Sequence, residues 1–474
     1  MNQFIITGSI ALLITASAFA GAPTPTRPAE SKGLTFADGV LTLDLEQRFR
    51  FEARSNNRDF DDRLNDDNDD SWLLSRSRIG IAMRPASWLK FYAQGQDTRE
   101  WNSERPNIPG VRGTEGGDSF DLRLAYVELG DLKSFPLSLT LGRQALSYGD
   151  RRLLADSQWA NFGRTFDAAK LRWQPAKGWT LDAFAGRPVQ IKEDTFNDSD
   201  SADNLIGLYL TTEALGFQTT DLYALHRDKA DDQPDLDPVN KLDARGAGSG
   251  PAQRTTTIGT RWKSTPGALG NWDYTAEFAY QFGDVWTGNR STAKLDHRAF
   301  ATHTNVGYTF ADAQWKPRLA LEYNYATGDK NPGDGRSQSF QNLFASNHEK
   351  YGFIDEFSWR NLHNARLSLS AKPVKNVDVT LDYHAFWLAE PTDYWFRANG
   401  TSTLRTKTPA GRDVRTVGAS NFAGHEVDLT VKWKATDHLT VETGYSHFFA
   451  GSYLKDTGPG DDADFAYVQA TIAF

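Results

Sequence analysis

Residues 41–54 read Leu-Thr-Leu-Asp-Leu-Glu-Gln-Arg-Phe-Arg-Phe-Glu-Ala-Arg. Leu41, Leu43, Leu45, Phe49, Phe51 and Ala53 share one parity, and Thr42, Asp44, Glu46, Arg48, Arg50, Glu52 and Arg54 share the other. Successive side chains of a strand face opposite ways, so the stretch predicts a strand with one apolar and one heavily charged face. The pattern returns downstream. In 272–282, Trp272, Tyr274, Ala276, Phe278, Tyr280 and Phe282 oppose Asp273, Thr275, Glu277 and Gln281; in 377–387, Val377, Val379, Leu381, Tyr383, Ala385 and Trp387 oppose Asp378, Thr380, Asp382 and His384. Residues 427–433 set Val427, Leu429, Val431 and Trp433 against Asp428, Thr430 and Lys432.

The period predicts about eighteen strands, near 40–54, 72–84, 88–98, 119–129, 137–147, 167–174, 179–186, 205–212, 218–226, 254–263, 271–283, 299–310, 317–327, 362–371, 377–388, 424–434, 438–449 and 464–474. The connections alternate. Long polar ones such as 55–71, 148–166, 227–253, 328–361 and 389–423 take turns with short ones such as Pro85-Ala86-Ser87, Pro175–Gly178 and Ala435-Thr436-Asp437. Short periplasmic turns and long external loops belong to an outer-membrane barrel, and an even strand count leaves both ends of the sheet on the periplasmic side. In hydrocarbon an unpaired backbone group costs several kcal/mol, so such a sheet must close on itself. The expected fold is therefore all-β, a transmembrane antiparallel β-barrel over residues 40–474. Outer-membrane lipid and the outer-membrane assembly machinery are its expected partners, the latter reading the last strand through Val468, Ala470, Ile472 and Phe474. Aromatic residues near strand ends (Trp72, Trp88, Tyr126, Trp173, Trp179, Trp262, Trp272, Trp433, Tyr445) fit interfacial girdles.

The 474 residues carry a net charge of −9 and no cysteine, and the mean hydropathy is −0.56. Absence of cysteine excludes disulfides, thiolate metal sites and thiol catalysis. The acidic balance argues against a nucleic-acid partner. Beyond the first twenty residues no apolar run of about 18 residues exists, so no helix is expected to span a bilayer. The stretch Phe4–Phe19 is apolar and Ala18-Phe19-Ala20 is a small-x-small site, which predicts a signal peptide over 1–20. A Pro-rich periplasmic linker over 21–39 follows.

With apolar residues toward lipid, the opposite parity faces a lumen. Arg48, Arg50, Arg76, Arg78, Arg123, Arg172, Arg261, Arg318 and Arg366 fall there. An Arg facing lipid at midplane would cost roughly 2–4 kcal/mol, and the 33 Arg against 19 Lys suit bidentate recognition of carboxylates. The cluster Arg48, Arg50, Arg76 and Arg78 is the expected constriction of a pathway for anionic solutes. Against this stands a self-neutralised wall in which Asp44, Glu46, Glu52, Asp121, Glu277 and Glu322 cancel the cations. Arg143 breaks parity: either a bulge at Gly142 re-aims it or it lies at the external rim. The acid run Asp66-Asp67-Asn68-Asp69-Asp70 lacks the spacing and glycine of an EF-hand, and no metal or cofactor is expected. No H-E-x-x-H, G-x-S-x-G or phosphate-binding loop occurs, so the expected function is non-enzymatic, with a barrel enzyme acting on lipid or glycan as the rival. A plug domain has no room before the first strand.

Residues 142–167 read Gly142-Arg143-Gln144-x-Leu146-x-Tyr148-Gly149-Asp150-x-Arg152-Leu153, then Trp159-x-Asn161-x-Gly163-Arg164-x-Phe166-Asp167. With Asn347-His348-x-x-Tyr351-Gly352, Trp359-Arg360-Asn361-Leu362 and Gly424-His425-Glu426-x-Asp428, this resembles the alginate export family of outer-membrane porins along essentially the whole chain after residue 20. The resemblance implies passive diffusion of an anionic polysaccharide past an arginine-rich constriction. The matching positions are Arg143, Arg152, Arg164, Asp167, Asn347, His348 and Arg360. In one respect this chain departs from the alginate exporter, whose long late periplasmic turn plugs the barrel. The corresponding turn here is Ala435–Asp437, so neither plug gating nor alginate itself carries over, and a general porin is the alternative.

Overall fold

The computed structural model describes residues 33–56, 60–62, 69–104, 116–193, 195–230, 252–287 and 293–474. The expected signal peptide and most of the 66–70 acid run lie outside the described residues. Eighteen antiparallel strands follow in chain order: β1 (Leu41–Ser55), β2 (Asp70–Ala86), β3 (Leu89–Trp101), β4 (Asp118–Leu129), β5 (Leu137–Gln144), β6 (Phe166–Trp173), β7 (Trp179–Gln190), β8 (Asp203–Thr212) and β9 (Gln218–Lys229) make the first half. The second half is β10 (Gln253–Ser264), β11 (Trp272–Thr287), β12 (Ala293–Thr309), β13 (Arg318–Ala326), β14 (Leu362–Val374), β15 (Val377–Trp387), β16 (Phe422–Lys434), β17 (Leu439–Ala450) and β18 (Ala463–Ala473). Each pairs with its chain neighbour, and β18 returns to β1 in the register Phe49↔Ala470 and Ser55↔Asp464. That seam removes both sheet edges, as hydrocarbon requires.

Several strands outrun their apolar periodicity on the external side. β12 starts at Ala293, six residues before its expected start at 299, and pairs with β11 from Thr287 onward. Backbone pairing does not need apolar side chains once the strand has left the lipid, so polar stretches extend the wall. Within the expected 21–39 linker, Leu34–Phe36 pairs with Leu41–Leu43 of β1.

The outward face is apolar. Ile79, Ile206, Leu222, Ile258, Leu321, Leu369 and Val468 are exposed there, Leu321 by 66%. Trp88, Trp173, Trp179, Trp262, Trp272 and Trp433 are exposed beside the short turns, where amphipathic rings suit a membrane interface. Trp72 and Tyr126 do not join them. Trp72 is 3% exposed and faces inward beneath Arg54, and Tyr126 packs on Tyr92, whose hydroxyl donates to Asp44 inside the barrel. Leu321→Arg is expected to lower folded-state stability by about 2–4 kcal/mol, because it puts an ion at mid-strand against lipid. Urea titration of the barrel in vesicles checks this, and an unchanged midpoint would show that this face does not meet hydrocarbon.

Candidate functional site: the occupied lumen

The inner wall of β1–β4 gathers Arg48, Arg50, Arg76, Arg78 and Arg123, none more than 8% exposed. Register explains the grouping: Arg48 lies opposite Arg76, and Glu46 opposite Arg78. Arg123 projects beside a bulge where the β3–β4 register slips between Gln94 and Gly95. These arginines do not look onto open lumen. The external connection after β5 folds inward and lays its backbone carbonyls on them. Gln158 O accepts from Arg48 and from Arg76 at 2.9 Å, and Trp159 O accepts from Arg50 at 2.7 Å. The Asn161 side chain accepts from Arg48 at 3.0 Å and donates to Ser75 O. Two carboxylates also take part: Glu46 pairs with Arg76 at 2.7 Å and Glu52 with Arg50 at 2.7 Å.

A second inward loop, between β13 and β14, meets the first at an isolated parallel bridge between Leu154 and Phe344 and through one further backbone bond. Ala155 N donates to Phe344 O at 2.9 Å, Phe344 N to Leu153 O at 2.9 Å, and Ser346 N to Arg151 O at 3.0 Å. Trp159 is stacked between the Arg50 guanidinium, 3.8 Å away, and the His348 ring, 3.6 Å away. Arg152 reaches Tyr351 Oη (2.9 Å), Glu322 (3.0 Å) and His303 (3.2 Å). Arg164 donates to the carbonyls of Ala155 and Ala345. The tip of this second loop rests on β16: Ile354 N donates to Glu426 at 2.9 Å, and a Cβ on Gly352 (φ +86°) would collide with that carboxylate.

The third inward loop joins β15 to β16. Asn347 donates to Ala398 O. Arg360 donates to Ser339, Gln341 and Gly400 O and lies over Phe396. Trp395 Nε1 donates to Glu356 O at 2.6 Å. Phe340, Phe344, Tyr351, Ile354, Phe357, Trp359, Trp395 and Leu404 are buried together with Phe386 and Phe448 of the wall. Enclosure pushes the Arg164 and Arg360 guanidinium groups down to about 10, still charged at neutral pH.

The other expected lumen arginines stand singly. Arg172 pairs with Asp182 at 2.7 Å, Arg261 with Asp221 at 2.6 Å and Asp150 at 3.2 Å, and Arg318 with Asp273 through Nε at 2.8 Å. Arg366 pairs with Asp382. These four are neutralised, but mainly by acids outside the set expected to cancel the wall; among the described residues only Glu322, 3.7 Å from Arg366, belongs to that set. Arg143 keeps the outward parity despite Gly142 at φ +116°. It pairs with Asp167 on β6 at 2.8 Å, near the external ends of both strands and with no break in register at Gly142, so of the two expected placements this one is the external rim. Sequence reading named the residues of the two long motifs without joining them. It missed the ladder in which Tyr148, Tyr209 and Tyr223 stack and donate to Asp182, Asp221 and Glu277.

A closed eighteen-stranded barrel with an apolar outer belt and external loops folded into an arginine-bearing lumen defines an outer-membrane porin. The alginate export family matches residues 40–468, and the chain belongs to it. Among solved structures it is similar to Pseudomonas aeruginosa OpdK with vanillate (TM-score 0.59, 11% identity, covering 92% of this chain and 98% of that one). It is also similar to Acinetobacter baumannii OccAB2 (0.59, 9%, 93% and 99%) and to P. aeruginosa OprD (0.54, 13%, 94% and 97%). Curated proteins give no match. The protein is an outer-membrane channel of a Gram-negative cell.

Proposed function

We propose that the barrel passes small anionic, carboxylate-bearing solutes by passive diffusion, without enzymatic activity. One observation carries this reading. Arg48, Arg123, Arg164 and Arg360 are partnered by carbonyls, amides or a hydroxyl and, among the described residues, have no carboxylate within 4 Å. Neutral acceptors bond these guanidinium groups without cancelling their charge, so the lumen keeps a positive field that enriches anions. OpdK, whose structure holds vanillate, is a fold relative with a carboxylate solute. An acidic polysaccharide is less well supported, because three loops share the lumen and the turn between β16 and β17 is only Ala435–His438. Lipid contact and assembly through the β18 seam belong to the same proposal.

Reversal potentials in a KCl gradient across planar bilayers test it. Anion preference is expected at about 0.1 M salt and should fade near 1 M, where screening shortens from about 10 Å to about 3 Å. Liposome swelling should be faster with benzoate-sized carboxylates than with neutral sugars of equal size. No anion preference at low salt, with equal swelling rates, would leave a general porin. Flux of acidic oligosaccharide at the same rate as of single carboxylates would restore the polymer reading.

A further inference from the structure

We propose that Glu426 and Asp428 share one proton, and that this carboxyl pair is a proton-operated clasp on the second inward loop. The device is independent of whatever solute crosses the channel. The two residues stand two apart on β16, so both face inward, and they are 0% and 1% exposed. Their carboxyl groups are hydrogen-bonded to one another, and such a bond exists only while one of them carries a proton. No N–H group donates to Glu426 Oε2 or to either Asp428 oxygen. The proton belongs to the pair rather than to one residue.

No neighbour supplies the countercharge. Among the described residues no Lys or Arg comes within 4 Å of either carboxyl. Arg366 on β14 is taken by Asp382 and stands 3.7 Å from Glu322. Asp382 itself faces Asp428 from β15 and adds a like charge. His384, also on β15, faces Glu426, and its Nε2 stands 3.5 Å from Asp428 Oδ2. That ring is neutral, because Asn364 Nδ2 donates to its Nδ1 at 3.1 Å and an imidazolium has no acceptor. Asn324 Nδ2, donating to Asn364 Oδ1 at 3.0 Å, fixes the amide in that orientation. From β17, Phe448 faces Glu426 and Ser446 faces Asp428. From the loop, Asp355 is one more acid, held by His348 at 2.8 Å and 3.5 Å from Arg54. The carboxyl oxygens are sealed from solvent, which leaves no room for a metal ion; a proton needs none.

The pair carries the loop tip. Ile354 N donates to Glu426 Oε1 at 2.9 Å, and Gly352, at φ +86°, brings the backbone against Oε2. Loss of the proton would leave two like charges in contact in a dry place. Glu426 relieves that only by swinging off Asp428, which strips Ile354 N of its acceptor. Proton release and loosening of the loop are therefore one event. Arg54, which donates to Ile354 O at 2.8 Å, keeps the tip from leaving altogether. In the unfolded chain both carboxyls are ionised above about pH 5. The folded barrel holds one proton more, so its stability falls as pH rises above that value.

Glu426→Gln gives the test, because its amide still accepts from Ile354 N and offers Asp428 a permanent donor. In infrared difference spectra at neutral pH, the unaltered barrel should show a protonated-carboxyl C=O stretch that this variant lacks. In vesicles and planar bilayers, pH is raised from about 6 to about 9, above ordinary carboxyls and below ordinary Tyr and Lys. The unaltered protein should lose melting temperature and gain current noise, and Glu426→Gln should keep the loop seated and show neither change. Lys350 of the same loop, pushed down to about 8 by burial, is present in both proteins, so their difference reads the pair. Identical carboxyl spectra, or equal pH dependence in the two proteins, would overturn the proposal. Asp428→Asn gives the same reading if Glu426→Gln does not assemble. Failure of both to fold would also overturn it, since an amide replaces the shared proton in either.

Discussion

Replacing Gln158–Phe162 with a short Gly-Ser linker is expected to raise single-channel conductance several-fold and to strengthen anion preference at low salt. The segment lends its carbonyls to Arg48, Arg50 and Arg76 and its side chains to Arg48 and Arg78. Without it those guanidinium groups face the lumen, and the cross-section widens. The two effects separate by ionic strength. The charge effect fades at about 1 M salt because screening there acts within about 3 Å, whereas the added width persists. Adding Arg50→Glu and Arg78→Glu to the shortened loop should turn the reversal potential toward cations. In the intact loop the same pair should first weaken the loop's hold, so current noise should rise as well. Unchanged conductance in the shortened variant would mean that solutes travel by a route this loop does not narrow.

Arg152→Met is expected to be the most damaging single substitution in the lumen, costing about 3–5 kcal/mol, the usual penalty for breaking a buried ion pair from one side. Arg152 is 4% exposed and Glu322 8%, and the pair at 3.0 Å is backed by Tyr351 Oη. Removing the cation leaves Glu322 with Arg366, 3.7 Å away, as its remaining arginine neighbour. The double variant Arg152→Met, Glu322→Leu should recover part of the loss, because no lone charge is then left inside. Urea titration of the three variants reads this directly. Equal midpoints for single and double variants would show that the penalty is packing rather than charge.

The strands were legible because period two is a local property. A strand's two faces meet lipid and lumen whatever its neighbours do, so parity in 41–54, 272–282 and 377–387 was enough to orient each of them. Girdle assignment was weaker for the same reason. Trp72 sits near a strand end in sequence, but its parity sends it inward with Arg54, and only the parity mattered. Arg143 was undecided because the choice between bulge and rim depends on its neighbour across the sheet, Asp167, which no local pattern announces.

The closed barrel, its orientation, the charged inner parity and the family motifs were all determined by the sequence alone. The fate of the inner charge was decided by tertiary structure. Whether Arg50 faces solute or a carbonyl depends on where Trp159 goes, more than a hundred positions along the chain, and whether Arg172 is neutralised depends on Asp182 across the sheet. Likewise the lumen is narrowed by connections 148–166, 328–361 and 389–423, whose polar composition reads as solvated loop. Their scattered aromatic and aliphatic residues have no period, and they become a core only when Phe344, Trp359 and Trp395 from separate loops are brought together inside the wall. Burial of that kind is a sum over residues distant in sequence, so it appears only once the chain has closed around it.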